Sequence, residues 1–161
     1  GLAGEIRPFR CTLVPEKRRS PAAEGGLDAA GQREALGRAV ETLHQGGLLA
    51  SLFIEPEDRQ VQAAKELGAD FVEINTGHYA EAPDEEEAMA LFTRLVTAVK
   101  SASATGLRVI LGHGLDYVNI WRFKGLEEVE EYSLGHAVIA RAVLVGLDRA
   151  VRDMVEIVRR L

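Results

Sequence analysis

The stretch Leu107-Arg108-Val109-Ile110-Leu111, followed by Gly112-His113-Gly114, decides the fold class of this chain. A short and nearly continuous apolar run is typical of a strand that is buried on both faces of a parallel sheet. Similar runs occupy residues 9–14, 48–54, 71–74 and, more weakly, 129–134. The sequence therefore predicts five strands of one parallel sheet.

Helical patterns alternate with these runs, and they cover residues 28–44, 56–67, 84–105 and 148–161. Asp28 is predicted to be the N-cap of the first helix. Four consecutive acidic residues at 84–87 favour a helix start at that point. Glycines before three of the strands end the preceding helices. This alternation predicts an α/β fold with right-handed crossovers between strands.

The number of strands limits the architecture. Five strands are too few to close an eight-stranded (β/α)8 barrel, so we expect about three further strand–helix units before Gly1. The runs at 9–14 and 129–134 then form the edges of the sheet. We also expect Phe53, Val109 and Leu111 to face the barrel interior, where the absent units would leave them partly uncovered.

Composition restricts the class of function. The chain has 161 residues, of which 47% are hydrophobic, and this size and composition suit a single globular domain. The formal net charge of −6 argues against a nucleic-acid partner. Apolar runs are too short to span a membrane and no secretory signal is present, so we expect no membrane partner and a cytoplasmic location. Cys11 is the single cysteine, so an intramolecular disulfide is excluded. Metal-ligand spacings are absent, so we expect no metal, and we expect no cofactor either.

The ends of the predicted strands carry the candidate chemistry. In a barrel or an open α/β sheet, active sites lie at the carboxyl ends of the strands. His113 occupies such an end between two glycines, and imidazole suits proton transfer near neutral pH. A loop histidine without a role is the alternative interpretation of this residue.

Two further elements are candidates. Gly135 and His136 open a predicted helix, whose free N–H groups would bind phosphate, although a tight turn that needs glycine explains them equally well. Glu73 lies inside an apolar strand, which is costly unless the carboxylate is used or paired, so it is either functional or part of a structural ion pair. The basic segment 16–19 could offer cations to phosphate or be a solvated loop, and His78 could have either kind of role.

Six stretches of the chain resemble the pyridoxine 5′-phosphate synthase family of the deoxyxylulose-dependent route to vitamin B6, and they occur in the same order along the chain. The stretches are Leu13-Val14-Pro15-Glu16-Lys17-Arg18, Glu24-Gly25-Gly26-Leu27-Asp28, Ser51-Leu52-Phe53-Ile54, Phe71-Val72-Glu73-Ile74-Asn75-Thr76-Gly77, Gly112-His113-Gly114-Leu115 and Leu134-Gly135-His136-Ala137-Val138-Ile139. The resemblance implies a TIM barrel in which residues 1–161 supply strands four to eight and their helices, as the C-terminal part of a single domain.

The resemblance also implies an activity. The family condenses 3-amino-2-oxopropyl phosphate with 1-deoxy-D-xylulose 5-phosphate to pyridoxine 5′-phosphate, a ring closure of the transferase type that releases phosphate and water. By position, His113 resembles the proton donor and Glu73 the glutamate that stabilises the transition state. Gly114, Gly135 and His136 resemble phosphate contacts. Ala22 stands where some members have a substrate-binding threonine.

The resemblance implies partners and a limit as well. The partners would be phosphorylated small-molecule substrates and further copies of the chain in a homo-oligomer. The family's first three strands carry a second catalytic histidine, a catalytic glutamate and substrate-binding arginines, so the isolated chain is expected to be inactive. Two alternatives remain open: another TIM-barrel phosphosugar isomerase or aldolase, and a non-catalytic barrel fragment that binds phosphate. The predicted strands contain no lysine, which disfavours a Schiff-base aldolase.

Overall fold

A five-stranded parallel sheet organises the chain, and the computed structural model describes residues 2–15 and 25–161. Each strand pairs with the next one in sequence, so the order is β1-β2-β3-β4-β5 and the outer strands are β1 and β5, as predicted. The strands are β1 Arg10–Leu13, β2 Leu49–Ile54, β3 Phe71–Asn75, β4 Arg108–Gly112 and β5 Val129–Ser133. The five predicted runs are therefore confirmed as strands, with shifts of at most one residue at each end.

Helices connect the strands. They are α1 Leu2–Ile6, α2 Arg33–Gln45, α3 Asp58–Glu66, α4 Gly77–Ala80, α5 Glu85–Ala104, α6 His136–Val145 and α7 Leu147–Val158, with a 3-10 helix at Asn119–Phe123. The short helix α4 and the 3-10 helix were not predicted, since each is too short to show a hydrophobic period. At the end of α5, Gly106 has φ 82°, a conformation that favours glycine and explains why a glycine precedes the strand.

The first long helix begins later than the sequence predicts. Its N-cap is Gln32, not Asp28. The Asp28 carboxylate instead accepts hydrogen bonds from the Gly31 N–H at 3.0 Å and from Gln60 Nε2 at 3.0 Å. Asp28 therefore closes a separate turn and fastens it to α3, and the expectation of an N-cap at this residue is wrong.

One face of the sheet packs against the helices. Leu52, Val72, Ile74, Val109 and Leu111 lie on this face, are fully buried, and share one apolar core with residues of α2, α3 and α5. The expectation that Val109 and Leu111 face a barrel interior is therefore wrong. A continuous apolar run does not reveal which residues face which side, and here the register with β3 decides it.

The opposite face of the sheet is concave. On it, Arg10 of β1 donates both guanidinium nitrogens to the carboxylate of Glu131 on β5, at 2.9 and 3.0 Å. Three strands separate β1 from β5, and in a flat sheet the two would lie about 19 Å apart. Side chains of this length meet only because the sheet curls. Phe53 lies on this concave face, as expected.

Candidate functional site

A cleft of about 1080 Å³ lies where the carboxyl ends of the strands meet the concave face. Its walls include Glu73, His113, Gly114, Gly135 and His136. These are all the predicted site residues that fall within the described part of the chain. Ala22 and the basic segment 16–19 lie outside the described residues.

Glu73 occupies the middle of β3 and points to the concave side. Ser133 and Thr12 hydrogen-bond to its carboxyl group. Burial raises the pKa of Glu73, and it outweighs the opposing effects of these hydrogen bonds and of the positive charge on Arg10. The neighbouring carboxylate of Glu131 adds to the rise. The site therefore holds a carboxyl group whose charged form is disfavoured.

Gly112 makes room for this carboxyl group. A Cβ atom built on Gly112 would collide with Glu73 Oε1 and would lie 3.0 Å from Ser133 Cβ. A side chain at position 112 would therefore push Glu73 out of its place. The sequence shows a glycine at the strand end, but its steric reason lies on the neighbouring strand.

His113 follows the last residue of β4 and is exposed to the cleft. Its φ of 80° is unusual for a residue with a side chain. The imidazole ring lies edge-on to Phe53, with 6.4 Å between ring centroids. A Cβ atom on Gly77 would approach His113 Cδ2 to 2.7 Å, so the ring packs directly over the backbone of that glycine. The surroundings thus define both the backbone and the ring position of His113.

The turn continues at Gly114, whose φ is 74°. A Cβ atom there would lie 2.5 Å from Ala80 Cβ, so only glycine fits. The Gly114 carbonyl accepts a hydrogen bond from Asn119 Nδ2 at 3.1 Å, which ties the turn to the 3-10 helix.

Gly135 is the N-cap residue of the ten-residue helix α6, and no side chain in the described part of the chain caps this end. The first N–H groups of a helix have no acceptor within the helix, and the helix dipole favours an anion beside them. Gly135, His136 and Ala137 line the cleft, so the start of α6 opens into the same space as His113 and Glu73.

A polar bridge beside the cleft was not predicted, although its members lie at predicted strand ends. Glu55 Oε1 accepts hydrogen bonds from the Gly26 N–H at 2.6 Å and from Asn75 Nδ2 at 2.8 Å. The bridge joins the ends of β2 and β3 to the segment that begins at residue 25. Only the contacts could reveal it, because these residues are 20 and 29 positions from Glu55 in the sequence.

His78 takes a different position from the other strand-end residues. Its side chain is 69% exposed, and Nε2 lies 3.7 Å from Glu55 Oε2. It lines an adjoining hollow of about 560 Å³, which shares Gly25 and Glu81 with the cleft that contains His113, but it does not line that cleft itself.

Metal centres and membrane-spanning helices are two other classes of functional element. Across residues 2–15 and 25–161, no group of three or more His, Cys, Asp or Glu side chains is arranged to hold a metal ion. Within the same ranges, no helix combines the length and the apolar character needed to cross a membrane.

Comparison with known proteins identifies the family. The model of the family described as "Pyridoxal phosphate biosynthesis protein PdxJ" matches residues 1–160. The chain belongs to the PdxJ family. Curated relatives support this membership and carry the name pyridoxine 5′-phosphate synthase.

The relatives are similar over nearly the whole chain. The synthase of Trichlorobacter lovleyi is 48% identical over 160 residues, which cover 99% of this chain and 67% of the relative. The proteins of Geotalea uraniireducens and Geobacter sulfurreducens are 48% and 45% identical, cover 98% and 99% of this chain, and are themselves covered to 66%. The chain thus spans about two thirds of the length of these PdxJ relatives.

Proposed function

We propose that this chain is the C-terminal part of a pyridoxine 5′-phosphate synthase, and that residues 1–161 belong to one TIM-barrel domain. One observation carries the proposal: the middle of β3, the end of β4 and the start of α6 supply residues to one cleft, namely Glu73, then His113 and Gly114, then Gly135 and His136. The parallel sheet in sequential order, its curl and its helices on the outer face support a barrel. In this proposal the chain contributes strands four to eight.

The proposed reaction condenses 3-amino-2-oxopropyl phosphate with 1-deoxy-D-xylulose 5-phosphate to pyridoxine 5′-phosphate, with loss of phosphate and water. Such eliminations need a proton donor beside the leaving group, and the exposed imidazole of His113 is placed to supply one. The half-buried carboxyl group of Glu73, in its charged form, would stabilise positive charge that develops on the substrate. The start of α6 would hold a phosphate group.

The decisive experiment is an assay of the full-length synthase, in which this chain is joined to its N-terminal third. With both substrates present, we expect pyridoxine 5′-phosphate and inorganic phosphate to form together. Omission of either substrate should stop both products. Conversion of either phosphorylated substrate alone would instead indicate an isomerase or an aldolase and would contradict the proposal.

The phosphate site predicts a difference between two similar variants. Gly135 has a negative φ of −139° and open space where a Cβ atom would be, so we expect both Gly135→Asp and Gly135→Asn to fold. The aspartate would occupy the anion site with its own charge, and we expect it to raise the KM of the substrate phosphate at this site about tenfold or more. The neutral asparagine controls for size and should have a much smaller effect. Equal KM values for the two variants would place phosphate elsewhere.

The raised pKa of Glu73 predicts that its replacement by glutamine increases the stability of the fold and lowers the activity. Because burial raises its pKa above the unfolded value of 4.5, the folded state binds more protons and loses stability as pH rises through the raised pKa. We therefore expect Glu73→Gln to unfold at higher urea concentration at pH 8 and to show no gain below pH 4. Turnover should fall about tenfold or more.

Glu131 is the matched control for this prediction. Its hydrogen bonds with Arg10 lower its pKa, so its charged form stabilises the fold above the unfolded pKa, and this contribution is lost as pH falls. Glu131→Gln should therefore lower the urea midpoint at pH 8. A lower urea midpoint at pH 8 in both variants would contradict the conclusion that the charged form of Glu73 destabilises the fold.

A further inference from the structure

Thr76 connects the end of β3 to the turn that carries His113. Its backbone N–H donates to the Gly112 carbonyl at 2.8 Å, and its side-chain hydroxyl lies 2.9 Å from the same oxygen. The hydroxyl also hydrogen-bonds to the carbonyl of His113 itself. Thr76 is fully buried, so these contacts are protected from water.

The backbone of His113 needs such support. A φ of 80° is unfavourable for a residue with a Cβ atom, and the surrounding structure must stabilise it. Relaxation of this angle would swing the imidazole away from the gap between Phe53 and Gly77. The Thr76 hydroxyl contacts the His113 carbonyl, which is the peptide group that such a rotation would move first.

We propose that Thr76 is a positioning residue for the reaction, whose hydroxyl keeps His113 in its left-handed conformation and aims the imidazole at the substrate. This inference rests on the proposed role of His113 as the proton donor. Thr76 does not line the cleft and so acts through His113 and not on substrate. Its removal should reduce the chemical step and leave substrate binding unchanged.

The test uses Thr76→Val in the full-length synthase, since valine keeps the shape and removes the hydroxyl. We expect kcat to fall about tenfold at unchanged KM for both substrates. Thr76→Ser keeps the hydroxyl and should restore kcat to within about twofold of the parent. A change in KM without a change in kcat would overturn the proposal. An equal loss of kcat in the serine and valine variants would overturn it as well.

A double-mutant cycle separates positioning from a merely structural role. If Thr76 acts through His113, Thr76→Val should change kcat less than about twofold when His113 is already asparagine. Additive losses would mean that Thr76 acts independently, which contradicts the proposal.

Thermal unfolding of each variant sets the assay temperature. Thr76→Ala repeats the test with a smaller side chain, and failure of both hydroxyl-free variants to fold would assign Thr76 to the fold instead.

The cycle also separates a failure of the proposed role of His113 from a failure of the proposed role of Thr76. If His113→Asn leaves turnover intact, the proposed role of His113 is wrong. If His113→Asn abolishes turnover and Thr76→Val does not reduce it, only the positioning role of Thr76 is wrong.

Discussion

Replacement of His113 by asparagine in the full-length synthase is expected to lower turnover about 10²-fold or more, with little change in KM. Asparagine has a similar size and tolerates the left-handed backbone that position 113 requires, so the turn should survive. Only the proton-transfer group is then lost. Steady-state kinetics with both substrates, measured across pH, would detect the change.

His44→Asn is the matched control for this variant. His44 lies near the end of α2, where Nε2 bonds the Asp70 carboxylate at 2.8 Å, and Asp70 also accepts a hydrogen bond from the Ala50 N–H. These residues lie at the opposite ends of the strands from the cleft, so turnover should be close to the parent value. Parent-like turnover in the His113 variant would remove this residue from the mechanism.

The 161-residue polypeptide, expressed alone, is expected to make no pyridoxine 5′-phosphate above background. In the proposed synthase, the family resemblance implies that a second histidine, another catalytic glutamate and substrate-binding arginines would come from the N-terminal third. Among the described residues, β1 and β5 each pair with a strand on one side only, and such edges favour association with other chains. Activity assays should be run beside the full-length protein at equal molar concentration.

Sedimentation of the same polypeptide tests its assembly state. Helices α6 and α7 expose apolar side chains, including Val143 at 82% and Leu144 at 86%. Exposed apolar surface of this kind promotes association, so we expect oligomers or aggregates. A stable monomer that converts both substrates would contradict the assignment of the missing catalytic groups.

Much of the fold could be predicted from the sequence because hydrophobic runs and glycine turns are local signals. The run before Gly112 and its four counterparts all form strands of one sheet. Predictions from local sequence were wrong where a contact between distant residues determines the structure. Asp28 resembles an N-cap, yet the turn that it closes does not continue into the helix, and Gln60 of another helix also donates to its carboxylate. The facing of Val109 depends on register with a neighbouring strand.

The candidate site follows the same division. The sequence indicated His113 as a residue at a strand end and Glu73 as an acidic residue inside an apolar strand. In the structure both residues line one cleft. The sequence could not reveal how they are held there. Thr76 reaches a carbonyl 37 positions away, and Glu55 joins two segments that are remote in the chain. Such contacts have no period and no fixed spacing, so only folding makes them visible.

The contact between Arg10 and Glu131 is a measure of how strongly the sheet curves. In a closed barrel of eight strands, two strands that are four steps apart stand on opposite walls. β1 and β5 are four steps apart in the order of this sheet, and the side chains of Arg10 and Glu131 meet across its concave face. In the proposed barrel, the five strands would therefore take up about half of the circumference, and the other half would have room for three more.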